Sequence, residues 1–420
     1  MNMMGRKYTM KRNYLMHLIQ LVVILTSIWI SLQATQAATT WNVPSNYATI
    51  AAAIASVSVV DGDTIEVAAG TYAENITINK SLVLQGVGAT TTTISGTATT
   101  GTGATIVTIT APNVTVTGFK ITNLFSKYGI SVADKSGITI TNNTITDIGG
   151  SDTANYDSIS AGNVFGIAVS SNPSGAAVAS VTITNNIISN ISNVHPGVRK
   201  SASGITIGFS EGASDITSLL IQGNTISDIT AGLGSADGGG AYGILLNHAS
   251  GVSPHTGRTV SPQIKNNTIS TLEGRWARGI GLEGGTPGAV VQGNSISNVT
   301  RTNLAFDASA IALQSNASAD TVTIASNSFT GVLLGVVNIP STPANPTITV
   351  GSNWWGCTAG PTGGGSCAAI YPTTGTNNAV TTGTTAPCTN SACILAVNAA
   401  IIDLRSSGRA AIFATESLSK

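Results

Sequence analysis

The stretch Ile138-Thr139-Ile140-Thr141-Asn142-Asn143-Thr144-Ile145-Thr146-Asp147-Ile148 decides the fold, because its apolar spacing returns along the chain. With Asn143 as reference, isoleucines stand five and three residues before it and two and five after it. Around Asn186 the same offsets hold Val181, Ile183, Ile188 and Ile191, and around Asn224 they hold Leu219, Ile221, Ile226 and Ile229. Asn327 has Val322, Ile324, Phe329 and Val332, while Asn267 and Asn294 keep three of the four, with Pro262 and Ala289 at the first offset. An earlier copy places Phe119 where the Asn belongs, among Val114, Val116, Ile121 and Leu124, and a late one runs Ile348, Val350, Asn353, Trp355. Within each run, inward aliphatics alternate with outward Thr or Ser, the period-two pattern of a strand with one buried face.

A second series interleaves with the first: Gly129-Ile130, Gly166-Ile167, Gly204-Ile205, Gly243-Ile244, Gly279-Ile280, Ala310-Ile311 and Gly335-Val336. Each unit therefore carries three short strands in fixed order, and units of this kind stack as a solenoid. One rung cannot stand alone. Its four to six inward aliphatics contribute roughly 1.5–3 kcal/mol each, whereas ordering each of its twenty-odd residues costs about 1–2 kcal/mol. The residues preceding the frame Asn are Asn142, Asn185, Gly223, Asn266, Gly293, Ser326 and Ser352, types suited to a sharp bend with positive φ. Asn side chains at one bend of successive rungs are expected about 4.8 Å apart, in a structural amide ladder.

Composition narrows the setting. Arg6, Lys7, Lys11 and Arg12, an apolar run from Leu18 to Ile30, and Thr35-Gln36-Ala37 read as a secretory signal peptide over residues 1–37. The expected product is exported, secreted or displayed at the cell surface, with no later apolar stretch long enough to span a bilayer. Charged residues make up 9% and cancel at 18 of each sign, so no basic field is available for nucleic acid, and neutral or weakly charged partners are expected. All four cysteines, Cys357, Cys367, Cys388 and Cys393, lie near the C-terminus, where an even count in an exported chain points to disulfides. The most local of three connectivities pairs 357 with 367 and 388 with 393. No metal ligand set and no cofactor motif stands out, and a monomer is expected.

The segment Val43-Pro44-Ser45-Asn46-Tyr47-Ala48-Thr49-Ile50, then Gly62-Asp63-Thr64-Ile65 and Gly70-Thr71-Tyr72-Ala73-Glu74, resembles the N-terminal cap and opening rung of the pectin-lyase-like right-handed parallel β-helix superfamily. It is also similar to the opening of pectin methylesterases. With the repeats and the closing Asn353-Trp354-Trp355-Gly356, the resemblance covers about residues 40–370. It implies a capping helix within Tyr47 to Ser56 and substrates bound on the outer face of the Gly-Ile strands. The catalytic motifs of the esterases, polygalacturonases and Ca²⁺-dependent lyases of that superfamily are not matched. The fold class is therefore all-β: a right-handed single-stranded parallel β-helix of about ten rungs, three short strands per rung, with an N-terminal helical cap. It spans residues 38–393, with 38–70 as cap and first strand, 351–393 as a disulfide-tied closure and 394–420 as a C-terminal cap or tail.

Length variation concentrates on both sides of the Gly-Ile strand, so loops there are expected to wall a groove. Its floor residues, Ser131, Ala168, Thr206, Leu245, Gly281 and Ala312, carry no charge. One step along the strand the outward row becomes Ser170, Gly208, Asn247, Glu283 and Gln314, with His248, Arg275, Trp276 and Arg278 close by. In this cluster Trp276 would stack on a pyranose face, with Asn247, Arg275, Arg278 and Gln314 as further binding residues. Glu283 and His248 would be the acid/base candidates. The plainer alternative is a solvated loop with Arg275 or Arg278 paired to Glu283. A second group, Asp152, Tyr156, Asp157, His195, Arg199 and Lys200, reads as solvated loop tips, and Asp61 and Asp63 as turn residues. Three functions follow: a protein that binds or processes polysaccharide or cell-envelope glycan in this groove, a structural or adhesive surface module, or a flat Thr/Ser face recognising an ordered surface such as ice. The processing version would be a lyase, hydrolase or esterase.

Overall fold

The computed structural model describes residues 17–20, 37–99, 104–149, 162–170, 177–194, 200–208, 214–232, 239–247, 257–303, 306–314, 321–338, 347–351, 353–354, 369–370, 381–382 and 402–403. Residues 17–20 are helical and belong to one unit, Met1–Thr39, while Thr40–Lys420 forms a second unit, to which everything below refers. No helix among the described residues is long and apolar enough to cross a membrane.

The second unit is a parallel β-helix. In the rung of Asn143 the chain runs through Ser126–Ala133, Ile138–Thr141 and Thr144–Ile148, and each strand type stacks into its own sheet. Among the described residues these first, second and third sheets hold 11, 13 and 9 strands. Pairing is parallel, and the winding is right-handed, the sense that parallel crossovers favour.

Register turns the sequence repeat into columns. Ile130, Ile167, Ile205, Ile244, Ile280, Ile311 and Val336 pair in succession in the first sheet. Ile140, Ile183, Ile221, Ile264, Val291, Ile324 and Val350 do so in the second. Ile145, Ile188, Ile226, Ile269, Ile296 and Phe329 do so in the third. All are buried in one continuous core running from Val43 to Val350. Leu124, expected inward, is exposed instead: a register irregularity sets Asn123 opposite Ile148 and leaves Leu124 outside.

The Gly of each Gly-Ile pair has a packing cause. A Cβ on Gly243 would lie 2.6 Å from the carbonyl oxygen of Gly279 one rung on and 2.6 Å from Ile269 Cγ2. Gly and Ile both face the core at this point, so strict alternation is broken, and only a bare Cα lets adjacent rungs approach.

The bend between the second and third sheets forms as expected. Asn142, Asn185, Asn266 and Ser326 have φ between 54° and 60°, with Gly223 and Gly293 at 68° and 70°. Behind this row Asn143, Asn186, Asn224, Asn267, Asn294, Asn327 and Asn353 are all buried. Asn224 shows the pattern: its Oδ1 accepts from Asn186 N and Nδ2, both at 3.0 Å, while its own Nδ2 donates to Ile183 O at 2.9 Å and Asn267 Oδ1 at 2.9 Å. The ladder starts below Phe119, whose backbone N–H donates to Asn143 Oδ1 at 3.1 Å. Each rung junction from Phe119 to Asn353 thus exchanges buried amide bonds in place of hydration.

Two further left-handed rows flank this bend. One, six residues before the frame position, contains Asn113, Gly137, Ser180, Ser218, Ser261 and Gly288; the other, four after it, contains Asp147, Asn190, Asp228, Thr271, Asn298 and Gly331. The later row explains why both Ile145 and Ile148 point inward: one residue in the αL region resets the alternation, as a bulge does.

The N-terminal end is closed as expected by a helix, Ile50–Ala55, with Ile50, Ala53 and Ile54 buried. Thr49 Oγ1 accepts from Ala52 N at 3.0 Å, and Glu74 accepts from Ile50 N and Ala51 N at 3.0 and 2.8 Å. Lys80 Nζ donates to Ser56 O and Val59 O beyond the other end, so opposite charges bracket the helix dipole. Asp63 behaves as a turn residue, accepting from Val60 N at 2.9 Å and Trp41 Nε1 at 2.8 Å. At the other end, Ile402–Asp403 pairs with Val337 and Asn338. Trp355 and the four cysteines lie outside the described residues.

Candidate functional site

The outer face of the first sheet differs from the open floor anticipated. Ala168, Thr206, Leu245, Gly281 and Ala312 point away from the core yet are buried, and only Ser131 is partly accessible. The physical reason is a second outward column, immediately before each Gly, holding Tyr128, Phe165, Ser203, Tyr242, Arg278, Ser309 and Leu334 in register. Tyr128 and Phe165 stack at 5.3 Å, and the outward Cβ position of Gly281 lies 3.0 Å from Leu245 Cδ1 and 3.3 Å from the Tyr242 ring. Large side chains lie flat on this face, so the outer surface carries an apolar layer of its own.

At the end of that layer three residues of the expected cluster, Trp276, Arg278 and Glu283, lie on the strand Trp276–Glu283 and are linked to one another. Asn247, Glu283 and Gln314 pair in register across three consecutive rungs, as expected. Arg278 is the hub. It donates to Glu283 Oε1 from Nη1 at 2.6 Å, and grips Asp307 through Nε to Oδ2 at 3.0 Å and Nη2 to Oδ1 at 3.1 Å. Ser309 Oγ adds a bond to Asp307 Oδ2 at 3.0 Å. Tyr242 Oη donates to Glu283 Oε1 at 3.0 Å and accepts from Trp276 Nε1 at 2.8 Å. Six side chains on three rungs therefore form one connected polar network.

Its electrostatics follow from burial. Burial, reinforced by the Glu283 charge, pushes the Tyr242 phenol well above its ordinary range, so it stays protonated. Burial works against the Arg278 charge, but Asp307, Tyr242 and Glu283 outweigh it and hold the guanidinium above its usual range. A buried pair of this kind needs further hydrogen bonds to its charged groups, and both oxygens of Asp307 accept them. Glu283 keeps about a fifth of its side chain accessible and uses only Oε1 in these bonds.

Arg275 does not join the network. It is 9% exposed, its guanidinium lies 4.2 Å from the Phe306 ring, and Nε and Nη1 have no hydrogen-bond partner. Phe306 also packs against the half-buried Trp276, with centroids 5.7 Å apart. His248 lies outside the described residues, as do Asp152, Tyr156, Asp157, His195 and Arg199 of the second group, of which only Lys200 is described.

Sequence reasoning missed Tyr242, Asp307, Phe306 and Ser309. A signal for them existed: Tyr242 and Ser309 occupy the position of Arg278 in their own rungs, directly before Gly243 and Ala310, and Asp307 is the residue aligned with Trp276.

The molecule belongs, by its own sheets, to the class of parallel β-helix proteins. No family profile and no curated protein matches the chain. Among solved structures it is similar to an alginate lyase from Paenibacillus sp. str. FPU-7, at 15% identity and a TM-score of 0.44, over 75% of this chain and 95% of that one. It is also similar to the Dettilon tailspike protein, at 18% identity and a TM-score of 0.34, over 76% of this chain and 62% of that one.

Proposed function

We propose that this chain is an exported, non-catalytic glycan-binding β-helix whose site centres on the rung of Trp276 and Glu283. The observation that carries the reading is that Arg278 ties up both carboxylates of the cluster. General acid or base work needs a carboxyl free to trade a proton with the substrate, and glycoside hydrolysis needs two, roughly 5–10 Å apart. Here Asp307 is buried and fully bonded, Tyr242 holds its proton, and Glu283 is anchored through one oxygen. What is left is an acceptor, Glu283 Oε2, beside a half-buried indole. That combination suits a sugar, whose hydroxyls donate to the carboxylate while its apolar face rests on the ring.

The test is a glycan array and pull-down with purified mature protein alongside Trp276→Ala and Glu283→Gln. Both substitutions should weaken binding at least tenfold, and incubation with the bound glycan should release neither reducing ends nor unsaturated products. Unchanged binding in both variants would end the reading, and product release would replace it with an enzymatic one.

A further inference from the structure

The network around Arg278 is not balanced in charge among the described residues. One guanidinium faces two carboxylates and serves them unequally: Asp307 takes Nε and Nη2 at 3.0 and 3.1 Å, whereas Glu283 takes Nη1 alone. Asp307 is held through both oxygens, gains Ser309 Oγ at 3.0 Å, and keeps only 6% of its side chain accessible. Glu283 is the more open of the two, at 19%. The two donors that reach it, Arg278 Nη1 and Tyr242 Oη, both end on Oε1. With Asp307 taking the larger share of the arginine, the unbalanced charge falls on Glu283, and Oε2 is the oxygen that meets no donor among the described residues.

The donors around that oxygen bond within the network. Arg278 serves the two carboxylates, Tyr242 gives its proton to Glu283, and Trp276 Nε1 donates to Tyr242 Oη. Trp276 and Glu283 thus bond to the same phenol oxygen, which brings the indole and the carboxylate together. The indole is half-buried and rests on Gly240, where an added Cβ would lie 2.0 Å from Nε1. Arg275 and Arg301, the other cations of this corner, are turned to Phe306, one to its ring at 4.2 Å and one to its carbonyl oxygen. An incompletely balanced carboxylate beside an aromatic ring attracts an ammonium group, through a charge-assisted hydrogen bond and the field of the ring.

We infer that the site at Trp276 and Glu283 selects amino sugars with a free, charged amine, whose ammonium donates to Glu283 Oε2 while the pyranose ring rests on the indole. The inference rests on the glycan reading of that rung and narrows it to one ligand class. A neutral hydroxyl can make the same hydrogen bond but brings no charge to meet that of Glu283. A uronic acid or a sulfated sugar would set a second anion beside it. A lysine side chain carries the same ammonium without a ring to cover the indole, so the sugar is the better occupant.

The experiment measures, by calorimetry at a pH where sugar amines are charged, the affinity of the purified mature chain for hexamers of chitosan, N-acetylated chitosan, cellulose and polygalacturonate, with oligolysine alongside. Chitosan should bind about tenfold or more tightly than its acetylated form, which differs from it only at nitrogen, and hexagalacturonate should bind weakest. Glu283→Gln keeps an oxygen for Arg278 and Tyr242 and should erase that preference, bringing the two forms within about threefold of each other. Trp276→Ala should weaken both forms alike. Equal wild-type affinity for the two forms, a comparison that needs no variant, would overturn the inference and leave a glycan site at Trp276 standing. Hexagalacturonate bound more tightly than chitosan would overturn it as well. A preference for the amine that survives Glu283→Gln would overturn the assignment to this carboxylate, and oligolysine bound as tightly as chitosan the assignment to a sugar. Failure of all four hexamers to bind would end the glycan reading and this inference with it.

Discussion

The two long corners of this coil are built by opposite rules. Between the second and third sheets the rungs from that of Phe119 to that of Asn327 turn through one two-residue bend, behind which seven buried asparagines, Asn143 to Asn353, pass amide bonds from rung to rung. Between the third and first sheets the connections vary in length, glycines alternate with cations, and Arg275 is left without a partner. The invariant corner fixes rung spacing and rotation, so the opposite corner can change without disturbing the core. Variation is permitted where register is already secured elsewhere, and the chemistry collects there.

The comparison breaks most visibly at the ladder. Asn224→Leu strands Asn186 N–H and Ile183 O in the interior, and urea unfolding should show a loss of roughly 3–5 kcal/mol. A loss no larger than that of an exposed Asn185→Ala control would mean the amides fill space and do not lock the register. Gly243→Ala tests the close approach on the other corner's strand; overpacking against Gly279 O and Ile269 should cost about 1–3 kcal/mol.

A pH scan sharpens the contrast between a fully bonded corner and a site with a stored titration. Tyr242 holds its proton in the folded chain above the pH at which the unfolded chain releases it, so the native state binds more protons in alkali. Stability should accordingly be flat below about pH 10 and fall above it by up to about 1.4 kcal/mol per pH unit. Tyr242→Phe should flatten that slope, and an unchanged slope would assign it to other groups. The smallest effect concerns Thr271, a β-branched residue at φ 55° in the later left-handed row. Thr271→Asn should raise stability by about 0.5–1 kcal/mol in the same unfolding assay.

Much of the architecture was legible because one face of each strand is buried. Ile138, Ile140, Ile145 and Ile148 repeat at fixed offsets since a slip of one residue would expose them all. The bend row at Asn142 and its equivalents was legible too, because few residue types tolerate αL. The flanking rows were not: Ser180, Ser218 and Thr271 are ordinary strand residues by type, and only the need to bring two inward residues three positions apart forces them into that region. At the site, register alone correctly aligned Asn247, Glu283 and Gln314. The Arg278–Glu283 pair stood among the alternatives read from the residues, but not the grip on Asp307, which depends on side chains meeting across a rung junction.

The amino-acid pattern by itself determined a coil of stacked strands, its inward columns, its amide bend and its helical cap, since each follows from short-range periodicity and backbone preference. Only the tertiary structure decided that the outer face of the first sheet is covered by Tyr242, Leu245 and their neighbours, and that one arginine is saturated and the next is not. Those facts depend on which side chains lie beside one another a rung apart, where residues as far as 43 positions distant become neighbours about 4.8 Å away.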